Sequence, residues 1–86
     1  MYKIEFKEDS IYYVEWWDHS SFSKGWSNIY FLKENSAPCF VKSIGWCIND
    51  KEEYITLAFG MSEEDVHGNI TILKNCIENA WEIKGV

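Results

Sequence analysis

Arginine is absent from this chain: all eight basic residues are lysines, set against fourteen acidic residues, for a net charge of −6. Proteins that hold duplex DNA or RNA draw most of their affinity from phosphate contacts and commonly read guanine through arginine. The composition therefore argues against long nucleic acid as a partner. Lysines that are distant in the sequence can cluster after folding, so the composition does not exclude a small anionic ligand.

Long apolar runs are also missing. No segment approaches the roughly eighteen apolar residues of a membrane-spanning helix, and Glu5, Lys7 and Glu8 interrupt the first ten positions. A basic region followed by an apolar stretch, which marks a secretory signal, is not seen. We expect no membrane partner and a location in the cytoplasm.

Cysteine and histidine are too few and too widely spaced to suggest a metal site. Cys39, Cys47 and Cys76 form no C-x-x-C pair, and the two histidines are His19 and His67. An odd number of cysteines without close spacing does not build a disulfide framework. We expect reduced cysteines packed in the core, no bound metal and no cofactor.

Residue types used in catalysis occur, but not in a diagnostic motif. Residues 18–21 read Asp-His-Ser-Ser, yet adjacency in sequence is not the geometry of a catalytic triad. A polar turn in which Asp18 and Ser20 bond backbone amides explains this segment more simply. The acids at 63–65 are typical of a solvated loop, and no glycine-rich phosphate loop is present. We expect a protein that is not an enzyme.

Aromatic residues, in contrast, are abundant, with five each of Trp, Tyr and Phe and the densest cluster at 12–17. A domain of this size hides roughly 60–65% of the surface that its unfolded chain exposes. Each large ring offers about 150–250 Å² of contact area. We therefore expect more ring surface than one core can cover, and a second apolar surface at a subunit interface or a ligand pocket.

The pattern of apolar residues favours a single all-β domain over residues 1–86. Alternation and β-branched or aromatic content predict five strands, at 11–17, 40–48, 53–59, 70–73 and 77–83. A long first loop, a tight middle hairpin at 49–52 and a short break at 74–76 separate them. This order predicts a small SH3-like or Sm-like barrel, since closure removes exposed edges. The alternative is an α+β roll in which 74–82 is helical.

Alternation also assigns side chains to faces. In the first strand we expect Val14 and Trp16 in the core, and Tyr13 and Trp17 on the opposite face. Gly45 predicts a bulge or bend in the second strand. In the third strand we expect Ile55, Leu57 and Phe59 to face inward, and in the last strand Ile77, Asn79, Trp81 and Ile83 to share a face.

The connection at 18–38 is long and polar, with one short helical turn expected after Ser27-Asn28 and an extended entry to the next strand at Pro38. Connections of this length inside a compact domain are uncommon and are often functional. We therefore place the candidate binding site where this loop leaves the first strand.

Several short motifs resemble a group of small phage and prophage proteins. The matching segments are Val14-Glu15-Trp16-Trp17-Asp18, Gly25-Trp26, Cys39 followed by Ser43-Ile44-Gly45-Trp46, and Ile72-Leu73-Lys74-Asn75-Cys76-Ile77. They correspond in that group to V-x-W-x-D, a Trp in the first loop, C-x-S-V-G and I-P-K-x-x-I.

The resemblance covers about residues 12–83, with two departures. Leu73 occupies the proline position, and Cys39 and Ser43 are four residues apart rather than two. The resemblance implies a phage origin, a host-cytoplasmic location and a small β fold, and it implies no catalytic site. Small phage proteins often inhibit host defence, and some sequester nucleotide messengers of bacterial immunity, an analogy of origin and size.

The residues that we expect to bind a ligand are aromatic, hydroxyl, acidic and basic side chains near the first loop: Tyr13, Trp17, Asp18, Ser20, Ser21, Trp26 and Lys74. An aromatic face can stack a planar base, and polar groups at a strand end can orient it. The alternative for the rings is packing of the long loop or of one subunit on another.

Two functional hypotheses follow. The first is a non-enzymatic phage protein, a homo-oligomer that binds and sequesters a small ligand between its subunits, with an immune nucleotide as a candidate. The second is an inhibitor that docks on a host protein through its acidic and aromatic surface.

Overall fold

A computed structural model describes residues 5–19, 28–35 and 37–85 of the chain. Its elements, in chain order, are β1 (Ile11–Asp18), α1 (Ile29–Asn35), β2 (Cys39–Asp50), β3 (Tyr54–Ala58), β4 (Asn69–Leu73), a 3-10 turn (Lys74–Cys76) and β5 (Ile77–Ile83). The five predicted strands are confirmed, with ends that differ by up to two residues. The tight break at 74–76 is also confirmed, as the 3-10 turn.

The strands form one antiparallel sheet in the order β4-β3-β2-β1-β5. The fold is therefore all-β, and the α+β alternative is wrong, because 77–83 continues the sheet as β5 beside β1. Closure into a barrel is not seen: within the described residues β4 and β5 are the two edges of the sheet. The barrel predicted from the order of strands and loops is thus present only as an open sheet.

The core lies on one face of this sheet and draws side chains from every strand. Its fully buried members include Val14, Cys47, Ile55, Leu57 and Ile72, and Phe6 is added from the segment before β1. Since β4 and β5 at opposite edges both contribute to one cluster, the sheet must curl around its inner face. Curling is how a single layer of strands can exclude water from its own core.

Alternation along β1 produces the expected division of side chains. Tyr12, Val14 and Trp16 are buried, whereas Tyr13 is half-buried and Trp17 is 39% exposed. The indole of Trp16 donates a 3.0 Å hydrogen bond to the hydroxyl of Ser43 on β2. This bond satisfies a polar group in the core, where an unpaired indole N–H would be costly.

Irregularities in the ladders fall at places that the sequence did not indicate. Of the bulge or bend expected at Gly45, the bulge is not there: Gly45 pairs regularly with Tyr12, and the register shift in β2 lies between Cys47 and Asn49. Gly45 is needed for close approach instead: a Cβ there would lie 2.5 Å from the carbonyl oxygen of Ala58. The β1–β5 ladder also shifts, between Glu15 and Trp16.

Other expected side-chain placements are also wrong. Phe59 is 48% exposed rather than inward, because β3 ends at Ala58 and its alternation does not continue. In β5 the register shift places Ile77 in the core and leaves Trp81 51% exposed, so these two residues do not share a face. Of the three cysteines expected in the core, Cys47 is there.

The first connection contains a helix of seven residues, α1, after Asn28, which is longer than the single turn expected. Residues 20–27 of this connection lie outside the described part of the chain. In the described ranges no helix is long and apolar enough to cross a membrane.

Candidate functional site

A groove of about 250 Å³ lies where β1 ends, close to the edge strand β4. Consecutive residues of β1 and its exit form one wall, and the residues of β4 and the 3-10 turn form the other. The lining residues are Trp16, Trp17, Asp18, His19, Ile70, Thr71, Leu73 and Cys76. Because the sheet curls, the end of β1 comes near β4 although two strands separate them in the sheet order.

Trp16 and Trp17 are the described tryptophans that line this groove, and Trp17 is the more exposed of the two. Its ring packs against Phe40 on β2, with centroids 4.9 Å apart, and its Nε1 donates a 3.1 Å hydrogen bond to Glu78. These two contacts fix the orientation of an indole that is still 39% exposed. Trp17 is therefore an aromatic side chain whose orientation is fixed before any ligand arrives, which reduces the entropic cost of binding.

A cysteine–histidine pair lies at the same groove. The Sγ of Cys76 is 3.6 Å from Nδ1 of His19, and that nitrogen is also 3.1 Å from the carbonyl oxygen of Trp17. The short contact to a carbonyl requires a proton on Nδ1, so this nitrogen cannot accept the proton of the thiol. The arrangement differs from that of an activated nucleophile, in which the imidazole accepts from the thiol.

Lys74 does not lie along this groove. Its ammonium is 2.5 Å from a carboxylate oxygen of Asp50 and 6.0 Å from the centre of the Phe6 ring. Among the residues that the structure describes, the groove lining includes Asp18 and His19 but no lysine. This electrostatic setting suits a neutral or cationic planar group better than a polyanion.

A second apolar surface covers the outer side of β2, β1 and β5, and we call it the aromatic face. Residues paired across strands lie on the same side of a sheet, so the registers define it as four rows. The rows are Trp46–Ile11–Ile83, Ile44–Tyr13–Trp81, Lys42–Glu15–Asn79 and Phe40–Trp17 with Glu78. Four of its large apolar side chains, Trp17, Phe40, Ile44 and Trp81, are between 39% and 53% exposed.

Contacts within the face keep its centre ordered. Tyr13 stacks on Trp81 with ring centroids 5.4 Å apart and planes 17° from parallel. The Tyr13 hydroxyl donates to Glu15, whose other carboxylate oxygen accepts from Asn79. Desolvation and the Glu15 carboxylate both raise the pKa of Tyr13, so its hydroxyl stays protonated as the donor.

The structure does not bring the predicted ligand residues together in one site. Trp17 and Asp18 line the groove, Tyr13 lies with Trp17 on the aromatic face, and Lys74 pairs with Asp50 away from both. Ser20, Ser21 and Trp26 lie outside the described residues.

Sequence reasoning missed the partners from distant segments, such as Cys76 of the groove and Trp81 of the aromatic face. Cys76 is 57 residues from His19, and no local signal connects the two. In the described part of the chain, no cluster of three or more His, Cys, Asp or Glu residues could hold a metal.

Comparison with known proteins found no matching family model, no matching curated protein and no matching solved structure.

Proposed function

We propose that this protein is a non-enzymatic binding protein that captures a small planar ligand in the groove at the end of β1 and works as a homo-oligomer. The observation that supports it best is Trp17, a partly exposed indole oriented by Phe40 and Glu78 beside the polar side chain of Asp18. Stacking of a base on such a ring contributes about 1–3 kcal/mol.

The resemblance to phage proteins makes an immune nucleotide the candidate ligand and inhibition of host defence the candidate role. A groove of about 250 Å³ is at the small end of ligand sites, which suits one base rather than a whole dinucleotide. Because the described residues that line the groove include no lysine, the base is the part of a nucleotide that these residues would recognise.

Isothermal titration calorimetry against cyclic nucleotides, adenine–ribose nucleotides and the matching nucleosides tests this proposal. We expect binding by at least one compound and a loss of about 1–3 kcal/mol in Trp17→Ala. Phe59→Ala is the control, because Phe59 is a similarly exposed ring outside the groove. No heat with any compound, from a sample shown to be oligomeric, would contradict the proposal.

A second candidate function is inhibition of a host protein by direct docking. The aromatic face supports it, because it combines exposed rings with the Glu15 and Glu78 carboxylates, and aromatic residues commonly dominate binding energy at interfaces. A stoichiometric host protein that the wild type retains from lysate and Trp17→Ala does not would favour docking over ligand capture.

For the fold, the finer proposal is an SH3-like roll. Its support is the meander from β1 to β4, the one-turn break and the return of β5 to β1. The two free edges in the described chain leave this roll short of a closed barrel.

A further inference from the structure

We propose that the aromatic face is the surface on which a second copy of this chain packs, so that two curled sheets form a face-to-face sandwich. This inference rests on the homo-oligomer of the proposed function and deepens it by naming the contact surface and its symmetry.

The exposed area is close to what a stable dimer needs. Rings that offer about 150–250 Å² each and are roughly half exposed leave on the order of 100 Å² per ring on this face. When Ile44 and the half-buried apolar neighbours are added, the exposed apolar area of the face approaches about 600 Å². This area is at the upper end of the largest apolar patches on monomeric proteins. The polar row brings the face near the roughly 800 Å² per partner of standard interfaces.

The row pattern matches a two-fold axis that is parallel to β1 and lies between the two sheets. β1 is the middle strand of the three, so this axis places β2 of one copy over β5 of the other, row on row. Ile44 then meets Trp81 of the partner subunit. Two sheets packed in this way lie about 10 Å apart, a distance that such side chains fill.

Charges on the face fit the same symmetry. Lys42 is exposed and forms no ion pair with the residues that the structure describes. The axis along β1 places it over Asn79 of the partner subunit, beside Glu78 of the partner subunit. Each copy gains one ion pair at the polar row, and two pairs form per dimer because the interface is isologous.

Sedimentation equilibrium of the full chain tests the inference. We expect twice the mass of one chain for the wild type and a monomer for Ile44→Glu, which inserts a carboxylate between the two sheets. Val66→Glu is the matched control, because Val66 is also β-branched and 44% exposed but lies away from the face. It should leave the dimer intact, and unfolding curves should show that both variants fold.

Charge reversal tests the axis itself. Lys42→Glu and Glu78→Lys should each raise the dimer Kd by roughly tenfold, since each opposes like charges across the interface. The double variant should return to within a few-fold of the wild type, whereas a merely structural role for either residue would give additive losses.

A monomeric wild type overturns the inference, as does a dimer that Ile44→Glu leaves intact. A host protein held by the wild-type monomer and lost in Ile44→Glu also overturns it, because the face then serves another partner. Calorimetry on the same samples separates the two proposals. If the wild type binds a nucleotide as a monomer, only the proposed dimer is contradicted. If the wild type is a dimer that gives no heat with any nucleotide, only the proposed ligand binding is contradicted.

Discussion

Gly45 on β2 faces the carbonyl oxygen of Ala58 on β3 so closely that a Cβ on the glycine would lie 2.5 Å from it. The oxygen belongs to the backbone of Ala58, which pairs with Trp46 in the β2–β3 ladder, so it cannot move away as the end of a flexible side chain could. The glycine is therefore required for the approach of β2 to β3 and not for a turn.

Gly45→Ala should lower the stability of the fold. Forcing an atom into this space costs about 1–3 kcal/mol, which lowers Tm by several degrees for a domain of this size. Thermal unfolding measures the change. Gly60→Ala is the control, because a Cβ there meets its nearest neighbour at an ordinary 3.5 Å. Equal effects of the two substitutions would contradict the close approach.

The ion pair between Lys74 and Asp50 should stabilise the protein far more than that between Lys7 and Glu82. The Lys74 and Asp50 side chains are 26% and 29% exposed and their charged atoms are 2.5 Å apart, and Asp50 Oδ1 is itself buried. Lys7 is 70% exposed, and its charged atom is 3.8 Å from that of Glu82.

Lys74→Met should cost about 1–3 kcal/mol in urea unfolding, because it leaves a carboxylate oxygen without a partner. Lys7→Met should cost under about 0.5 kcal/mol. Asp50→Asn combined with Lys74→Met should recover part of the loss. Similar costs for both single variants would show that the Lys74 contact is not formed in solution.

Stability should fall with rising pH above about 9 because of Cys47. Burial, with a smaller effect of the Asp50 carboxylate, raises the pKa of this thiol from 9.0 to about 11. Between these values the unfolded chain has lost the proton that the folded chain keeps, so the free energy of unfolding decreases as pH rises.

Cys47→Ala should flatten this decline relative to the wild type in unfolding curves recorded from pH 8 to about pH 11. Burial also raises the pKa of Tyr12, which leaves a residual decline of the same sign. Cys39→Ala is the control, since Cys39 is exposed. Parallel pH profiles for the wild type and Cys47→Ala would contradict the assignment.

The open edge of the sheet should be visible in amide hydrogen exchange. The amides of Phe59 and Lys74 donate to the carbonyls of Gly68 and Glu53, which lie opposite them. These two bonds at the ends of the β3–β4 ladder determine which residue pairs between them are hydrogen-bonded. Alternate residues of an antiparallel ladder exchange bonds, so Ile70 and Ile72 bond to β3 while Thr71 and Leu73 direct their amides to the open edge.

We expect fast exchange at Thr71 and Leu73 and slow exchange at Ile70 and Ile72, measured residue by residue by NMR. The comparison within one strand serves as its own control. Strong protection at Thr71 and Leu73 would mean that the edge is covered in solution, by barrel closure or by another chain.

The local elements of the fold were predictable because each has a short-range cause. β-branched and aromatic alternation predicted the five strands, and the division of β1 into an inner face with Val14 and an outer face with Tyr13 followed from the period of two. The long connection after β1 and the break at 74–76 were likewise readable from nearby residues.

Predictions failed where a residue distant in the sequence determines the position of a side chain. The placement of Trp81 depends on a register shift against β1, and the role of Gly45 depends on a carbonyl of β3. The placement of the Lys74 ammonium depends on Asp50 at the end of β2. None of these partners leaves a signal in the residues next to it.

The amino-acid sequence alone determined that the chain is all-β and that it has more aromatic surface than one core can cover, since strand periodicity and ring content are local quantities. The tertiary structure decided which rings stay outside, because curling of the sheet brings the end of β1 to β4 and the register of β5 turns Trp81 outward. Sheet curvature and register result from contacts between distant residues, and these contacts create both the groove and the aromatic face.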